Sequence, residues 1–180
     1  VTNMTGLFRD CSSLTTIEGL ENFNTSEVLY MSNMFKGCSS LTAINGLKNW
    51  DTSKAQQMHA MFQGCSSLTS LDVSGLDTLS ATSLESMFEG CSRLTELDLS
   101  NFDTGRVSNV NNMFKGTNKL KFVDLSSFNL DGVTNKYNDM FLIESQEVAP
   151  TSTHDGKLLV VATDDKLVNY DYAGDNRVGS

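Results

Sequence analysis

A short phrase recurs through this chain, and it limits what the chain can become. The pairs Leu7-Phe8, Met34-Phe35, Met61-Phe62, Met87-Phe88, Met113-Phe114 and Met140-Phe141 mark successive copies. Three residues after the first four phenylalanines stand Cys11, Cys38, Cys65 and Cys91, and Thr117 takes that slot in the fifth copy. Leu14, Leu41, Leu68, Leu94 and Leu120 follow, then Ile17, Ile44, Leu71, Leu97 and Val123. The period is 27 residues in the first two copies and 26 afterwards, and all eight methionines and all four cysteines obey it. A fixed period of this length is the mark of a repeat array. One unit is too small to bury its own apolar stripe, and stacked units join their stripes into one core.

The units translate into secondary structure. Val28, Met31, Met34 and Phe35 have the spacing i, i+3, i+6, i+7, which predicts one stripe of a short helix. Thr25, Ser26, Thr52, Ser53 and Thr104 lie just upstream as N-caps. Ser12-Ser13, Ser39-Ser40 and Ser66-Ser67 then form a polar turn. Leu68 to Val73, Leu94 to Leu99 and Leu120 to Leu125 alternate apolar and polar residues, which predicts strands. Phe23, Trp50, Leu76, Phe102 and Phe128 close the turn that follows. The fold class expected is α/β: a leucine-rich-repeat solenoid with a concave parallel β-sheet and short convex helices. Residues 1–141 form the array, five full copies and a degenerate sixth beginning at Val133. In the sixth copy Met140 is displaced by one residue, and neither cysteine nor strand is expected to follow in register.

Residues 142–180 leave the period and are expected to form a small C-terminal α/β cap. Lys157 to Thr163 reads as a strand and Asp164 to Tyr172 as a helix with Thr163 at its N-cap. The lone proline, Pro150, stands where the pattern stops. The chain opens at Val1 inside a repeat, so an excerpt of a longer protein is expected.

Segments 31–53 (MSNMFKGCSSLTAINGLKNWDTS) and 84–107 (LESMFEGCSRLTELDLSNFDTGRV) resemble the BspA-like leucine-rich-repeat surface proteins, with their MFxxCxxLxxLDLSxFDTSxV repeat. The resemblance spans residues 1–141, with departures at Thr117, Lys136 and the shift before Met140. The closing segment NYDYAGDNR (169–177) resembles the end of such arrays. The resemblance implies a bacterial cell-surface or secreted protein that attaches to host or neighbouring-cell molecules, protein or glycan.

Charge narrows the partners. A net charge of −9 disfavours nucleic acid and anionic membrane surfaces. No apolar run reaches the length of a membrane span, so no direct membrane insertion is expected.

Binding residues are sought on the outward side of the strands. Glu18, Asn45, Asp72, Asp98 and Asp124 form one outward column; Ser70, Glu96 and Phe122 belong to the column beside it. With strands ~4.8 Å apart, the carboxylates crowd. They serve either as a docking strip for a basic partner or a place to gather a hard cation, or as consensus residues hydrogen-bonded to the next strand or simply solvated. Phe122 is either an aromatic anchor for a partner or covered by the tail. The cysteines lack a C-x-x-C pair and the two histidines complete no zinc spacing, so a buried thiol ladder is expected and no metal or other cofactor. Asn24, Asp51, Asp77, Asp103 and Asn129 are expected to form Asx turns or caps. No G-x-S-x-G, glycine-rich phosphate loop or HExxH is present. The reading is a non-enzymatic binding module acting through its concave face; the alternative is a structural spacer presenting adjacent domains. A hydrolase fragment is a distant third.

Overall fold

In the computed structural model, residues 1–133, 140–141, 148–149 and 158–164 are described. Successive copies lie one on another, and each hands its backbone hydrogen bonds to the next. Along the methionine–phenylalanine segment alternate N–H groups point down the stack. Met31 N donates to Gln57 O at 2.9 Å, Asn33 N to His59 O at 3.0 Å, Phe35 N to Met61 O at 2.9 Å and Gly37 N to Gln63 O at 2.8 Å. The same pattern joins the third copy to the fourth through Ala60, Phe62 and Gly64.

This wall is where the expected helices do not form. The stripe Val28, Met31, Met34 and Phe35 is buried, yet the segment is a run of β-turns. Lys36 N donates to Asn33 O and Cys38 N to Phe35 O, both at 3.1 Å. Two left-handed residues per copy break any helix: Asn33, Ala60, Ser86 and Asn112 before the Met-Phe pair, and Gly37, Gly64, Gly90 and Gly116 before the cysteine or its threonine substitute. The physical reason is width. The phenylalanine rings of adjacent copies stack at 5.4 Å (Phe8–Phe35), 5.7 Å (Phe35–Phe62) and 5.8 Å (Phe62–Phe88 and Phe88–Phe114). An α-helix with its side chains is ~10 Å across, so helices cannot repeat at that spacing. Turns bury the same i, i+3, i+6, i+7 stripe in half the width.

The predicted caps therefore have another task. Thr52 Oγ1 donates to Asp77 O at 2.8 Å and accepts from Asp77 N at 2.7 Å. Thr104 does the same with Asn129, and Thr78 donates to Asp103 O. These buried threonines tie each copy to the next, and no helix is capped. A cysteine ladder runs parallel to them. The Sγ of Cys38, Cys65 and Cys91 donates to Phe8 O, Phe35 O and Phe62 O at 3.0–3.1 Å. All four thiols are free, and Cys11 in the first copy is exposed. Burial pushes the Cys38 thiol up to about 11 and Cys65 to about 12, each reinforced by the preceding cysteine. In the fifth copy Thr117 Oγ1 turns to Phe114 O of its own copy at 2.7 Å.

On the opposite wall, strand pairing begins only with the fourth copy. Strands β1 (Glu96–Asp98), β2 (Phe122–Leu125), β3 (Val148–Ala149) and β4 (Leu158–Ala162) form one parallel sheet in the order β1-β2-β4-β3. The first three copies hold extended chain there without a strand ladder. The strand expected over Lys157 to Thr163 is β4. It takes the place beside β2 that a sixth repeat strand would take, with Phe122 opposite Leu159 and Asp124 opposite Val161. The short strand after Phe141 does not pair with β2 as a sixth repeat strand in register would. It is β3, and it pairs on the far side of β4. Thr163 Oγ1 donates to Ser126 O at 2.9 Å and Asp164 Oδ2 accepts from Leu130 N at 2.8 Å, fastening β4 to the fifth copy. The helix expected from Asp164 to Tyr172 lies outside the described residues beyond Asp164.

Candidate functional site

Leu71, Leu97 and Val123 point into the core, so their chain neighbours face out. Strand register sets Glu96 beside Phe122 and Asp98 beside Asp124 on adjacent rungs, ~4.8 Å apart. An open groove of about 450 Å³ lies across this face. It brings together Asn45, Ser70, Asp72, Glu96, Asp98 and Phe122, with Ala43, Ile44 and Leu71 completing its lining. Glu18, on the first copy, and Asp124, on the fifth, do not line it. Phe122 is half-buried. Its strand neighbour on one side is Glu96 and on the other Leu159, so the aromatic ring stands where the acidic rungs give way to apolar residues.

The aspartates of the outward column are turn formers. Asp72 Oδ1 accepts from Ser74 N at 3.0 Å and Ser74 Oγ at 2.6 Å; Asp98 does the same with Ser100 at 3.0 and 2.6 Å. Asp124 accepts from Ser126 N at 2.9 Å. An acceptor that receives two donors is stabilised as an anion. The Ser74 hydroxyl and amide hold the Asp72 carboxyl below its ordinary range, helped by Lys48, and Ser100 does this for Asp98. Asp72 and Asp98 are thus hydrogen-bonded turn residues that remain exposed, and Asp124 is a half-buried one. Glu96 differs. Its carboxylate is exposed and makes no hydrogen bond or ion pair among the described residues. No Lys, Arg or His is among the groove's described lining residues.

The Asx turns expected at the next corner are present. Asn24, Asp51, Asp77, Asp103 and Asn129 each accept from the backbone N–H two residues on. Among the described residues no group of three His, Cys, Asp or Glu could hold a metal ion. No helix among them is long and apolar enough to cross a membrane. On the turn wall Ser32 Oγ and His59 Nδ1 lie 3.0 Å apart, but Ser32 is 2% exposed, so the pair is a tie between copies.

The lining residues missing from the predicted site are Ala43, Ile44 and Leu71. Ala43 had a readable signal. It is a small residue at an outward position where later copies carry Glu96 and Phe122, and such a position leaves a hollow.

The chain matches a family model described as "Mycoplasma protein of unknown function, DUF285" in two overlapping stretches, residues 1–70 and 40–152. No curated protein matches it.

Proposed function

The chain belongs to the family described as Mycoplasma protein of unknown function, DUF285, and from that premise we propose that it is a surface-exposed bacterial binding module. Its copies make a leucine-rich-repeat-type solenoid of the BspA-like kind, with turns in place of helices on the outer wall and the strand Leu158–Ala162 set beside the last full copy. It attaches to a host or neighbouring-cell macromolecule through the strand face. It carries out no reaction and needs no cofactor.

The observation behind this reading is an asymmetry between the walls. On the turn wall, alternate backbone N–H groups and the thiols of copies two to four are bound within the stack. On the strand face the chain leaves an open groove, a Glu96 carboxylate with no partner among the described residues and a half-buried aromatic at Phe122. Concave, partly apolar surface with a few placed polar groups is what binding sites are made of.

The test is binding of the purified chain to a panel of extracellular-matrix proteins, mucins and glycans, beside a variant that fills the groove. Because Asp72 and Asp98 also hold turns, the variant is Ser70→Arg with Glu96→Arg, with folding checked by circular dichroism. Micromolar binding that the variant loses supports attachment through this face. Absence of binding by either protein favours a spacer, and binding that the folded variant keeps moves the contact elsewhere.

A further inference from the structure

Resting on the strand-face reading, we infer that the groove receives an arginine side chain from an extended segment of a partner protein, its guanidinium lying along the Phe122 ring and its N–H groups turned to Glu96 and Asp98. Three features of the groove select that occupant. First, three carboxylates and no cation are among its described lining residues; Lys48 acts on Asp72, so it is at Glu96 and Asp98 that the groove complements a positive charge. Second, the register pairs Glu96 with Phe122. That sets the backbones of an acidic and an aromatic residue one rung apart, ~4.8 Å, with both side chains on the same face. A guanidinium is flat and carries five donors in its plane, so it stacks on the ring while its edge meets the carboxylate. An ammonium ion has no such face and edge. Third, the aspartate at the rim is fixed. Asp98 is held through Oδ1 by Ser100, which orients the carboxylate before any ligand arrives.

An extended chain matches the spacing of the groove's lining residues. From Asn45 on the second copy to Phe122 on the fifth is three rungs, ~14 Å at strand spacing, and residues i and i+4 of an extended peptide are ~13 Å apart. An arginine against Phe122 therefore places the side chain four residues away over the hollow left by Ala43 and Ser70, which takes a small aliphatic group.

The experiment titrates the ¹⁵N-labelled chain with a blocked nonapeptide of alternating threonine and valine, carrying arginine at position 3 and valine at position 7. Three further ligands accompany it: the same peptide with citrulline for arginine, the same with lysine, and free agmatine. The expected result is shift changes centred on Ser70, Glu96 and Phe122, with citrulline and agmatine each weaker by about tenfold and lysine by a smaller factor. Glu96→Gln and Phe122→Leu each weaken the arginine peptide by about fivefold or more, while Glu27→Gln, a carboxylate elsewhere on the surface, leaves it unchanged. Equal binding of the arginine and citrulline peptides, shifts away from the groove, or indifference to Glu96→Gln overturns the inference. Equal binding of agmatine and peptide overturns the extended segment. If the chain binds a panel protein through the strand face but the arginine peptide neither binds nor competes, the cation inference fails and the attachment reading stands. If nothing binds, both fail.

Discussion

The first two copies and the next three turn the corner after the strand face in different ways. In the first two, six residue steps separate Ile17 from Phe23 and Ile44 from Trp50; in the others, five separate Leu71 from Leu76, Leu97 from Phe102 and Val123 from Phe128. The wide corners begin at left-handed Gly19 (φ 84°) and Gly46 (φ 94°), followed by the 3-10 turns Leu20–Asn22 and Leu47–Asn49. The tight corners open on the Asp-x-Ser turn and close with one further bond, Phe102 N to Leu99 O in the fourth copy. The change of period from 27 to 26 is this corner and nothing else: the turn wall runs through both regions with the same bonds. The stack tolerates a change of one residue where the chain is at the surface and holds its spacing where rings and thiols are packed.

Where wide meets tight, the seam leaves a signature at a single position. Gly75, Asn101 and Ser127 are equivalent in the third, fourth and fifth copies. Where tight sits on tight, Asn101 Nδ2 donates to Val73 O, Ser74 O and Leu76 O, and Ser127 Oγ to Leu99 O and Phe102 O. At the seam there is no room. A Cβ on Gly75 would run into the backbone of Lys48.

The comparison can first be broken on the wall said to be common. Phe35→Ala, in a wide-corner copy, and Phe88→Ala, in a tight-corner copy, remove fully buried rings from the same stack. Each is expected to cost about 3–5 kcal/mol, measured by urea unfolding. A cost differing by more than about 1 kcal/mol would show that corner type reaches the core.

The seam gives the next largest effect. Gly75→Ala is expected to cost about 3 kcal/mol, since backbone must move to admit one methyl. Gly105→Ala is the control, for it meets only the Asp103 side chain at 3.2 Å and should change stability by less than about 1 kcal/mol. Thermal midpoints of the two variants decide it; equal midpoints would remove the seam as an explanation for glycine. The reverse substitution, Asn101→Gly, loses the three donations into the corner below and is expected to cost about 1–2 kcal/mol.

Much of this was legible in the sequence, and the boundary of legibility has a physical cause. The period, the buried stripe and the outward column follow from spacing alone, because burial every second or third residue does not depend on what the neighbouring copy does. The helix on the outer wall does not follow, because the stripe of Val28, Met31, Met34 and Phe35 is common to a helix and to paired turns. The choice between them is made by the distance to the next copy, which no single repeat encodes. Glycine before each cysteine after the first, and Asn33 and Asn112 before the Met-Phe pair, are residue types that accept a left-handed backbone, and they are the signal available in the sequence. At the site, the aspartates are readable as outward carboxylates, and Asp-x-Ser in the third, fourth and fifth copies points to Asx turns within each copy rather than to bonds with the next strand. The hollow at Ala43 needed its neighbours' sizes as well as its own position. β4 was readable as a strand, but its insertion between β2 and β3 depends on a pairing across unlike sequence, which periodicity cannot foresee.

The smallest effect concerns the tight corner's own chemistry, and it separates the two corner types by pH. Asp98 is held below its ordinary 3.8 by the Ser100 hydroxyl and amide, whereas the equivalent Asn45 in the second copy has no charge to lose. A carboxyl whose folded pKa is depressed contributes stability that is present above its unfolded pKa and disappears as pH falls through the folded value. Ser100→Ala removes the larger of the two donations, so the Asp98 pKa should rise towards 3.8. On an exposed residue the stability cost should be less than about 1 kcal/mol. The cost should be fully present at neutral pH and shrink as the solution is acidified below the ordinary carboxyl range, where parent and variant both carry a protonated Asp98. Carboxyl ¹³C titration gives the pKa, and urea midpoints at neutral and acid pH give the cost. A cost that is the same at both pH values would show that Ser100 supports the corner through packing, and the tight corner would then differ from the wide one in length alone.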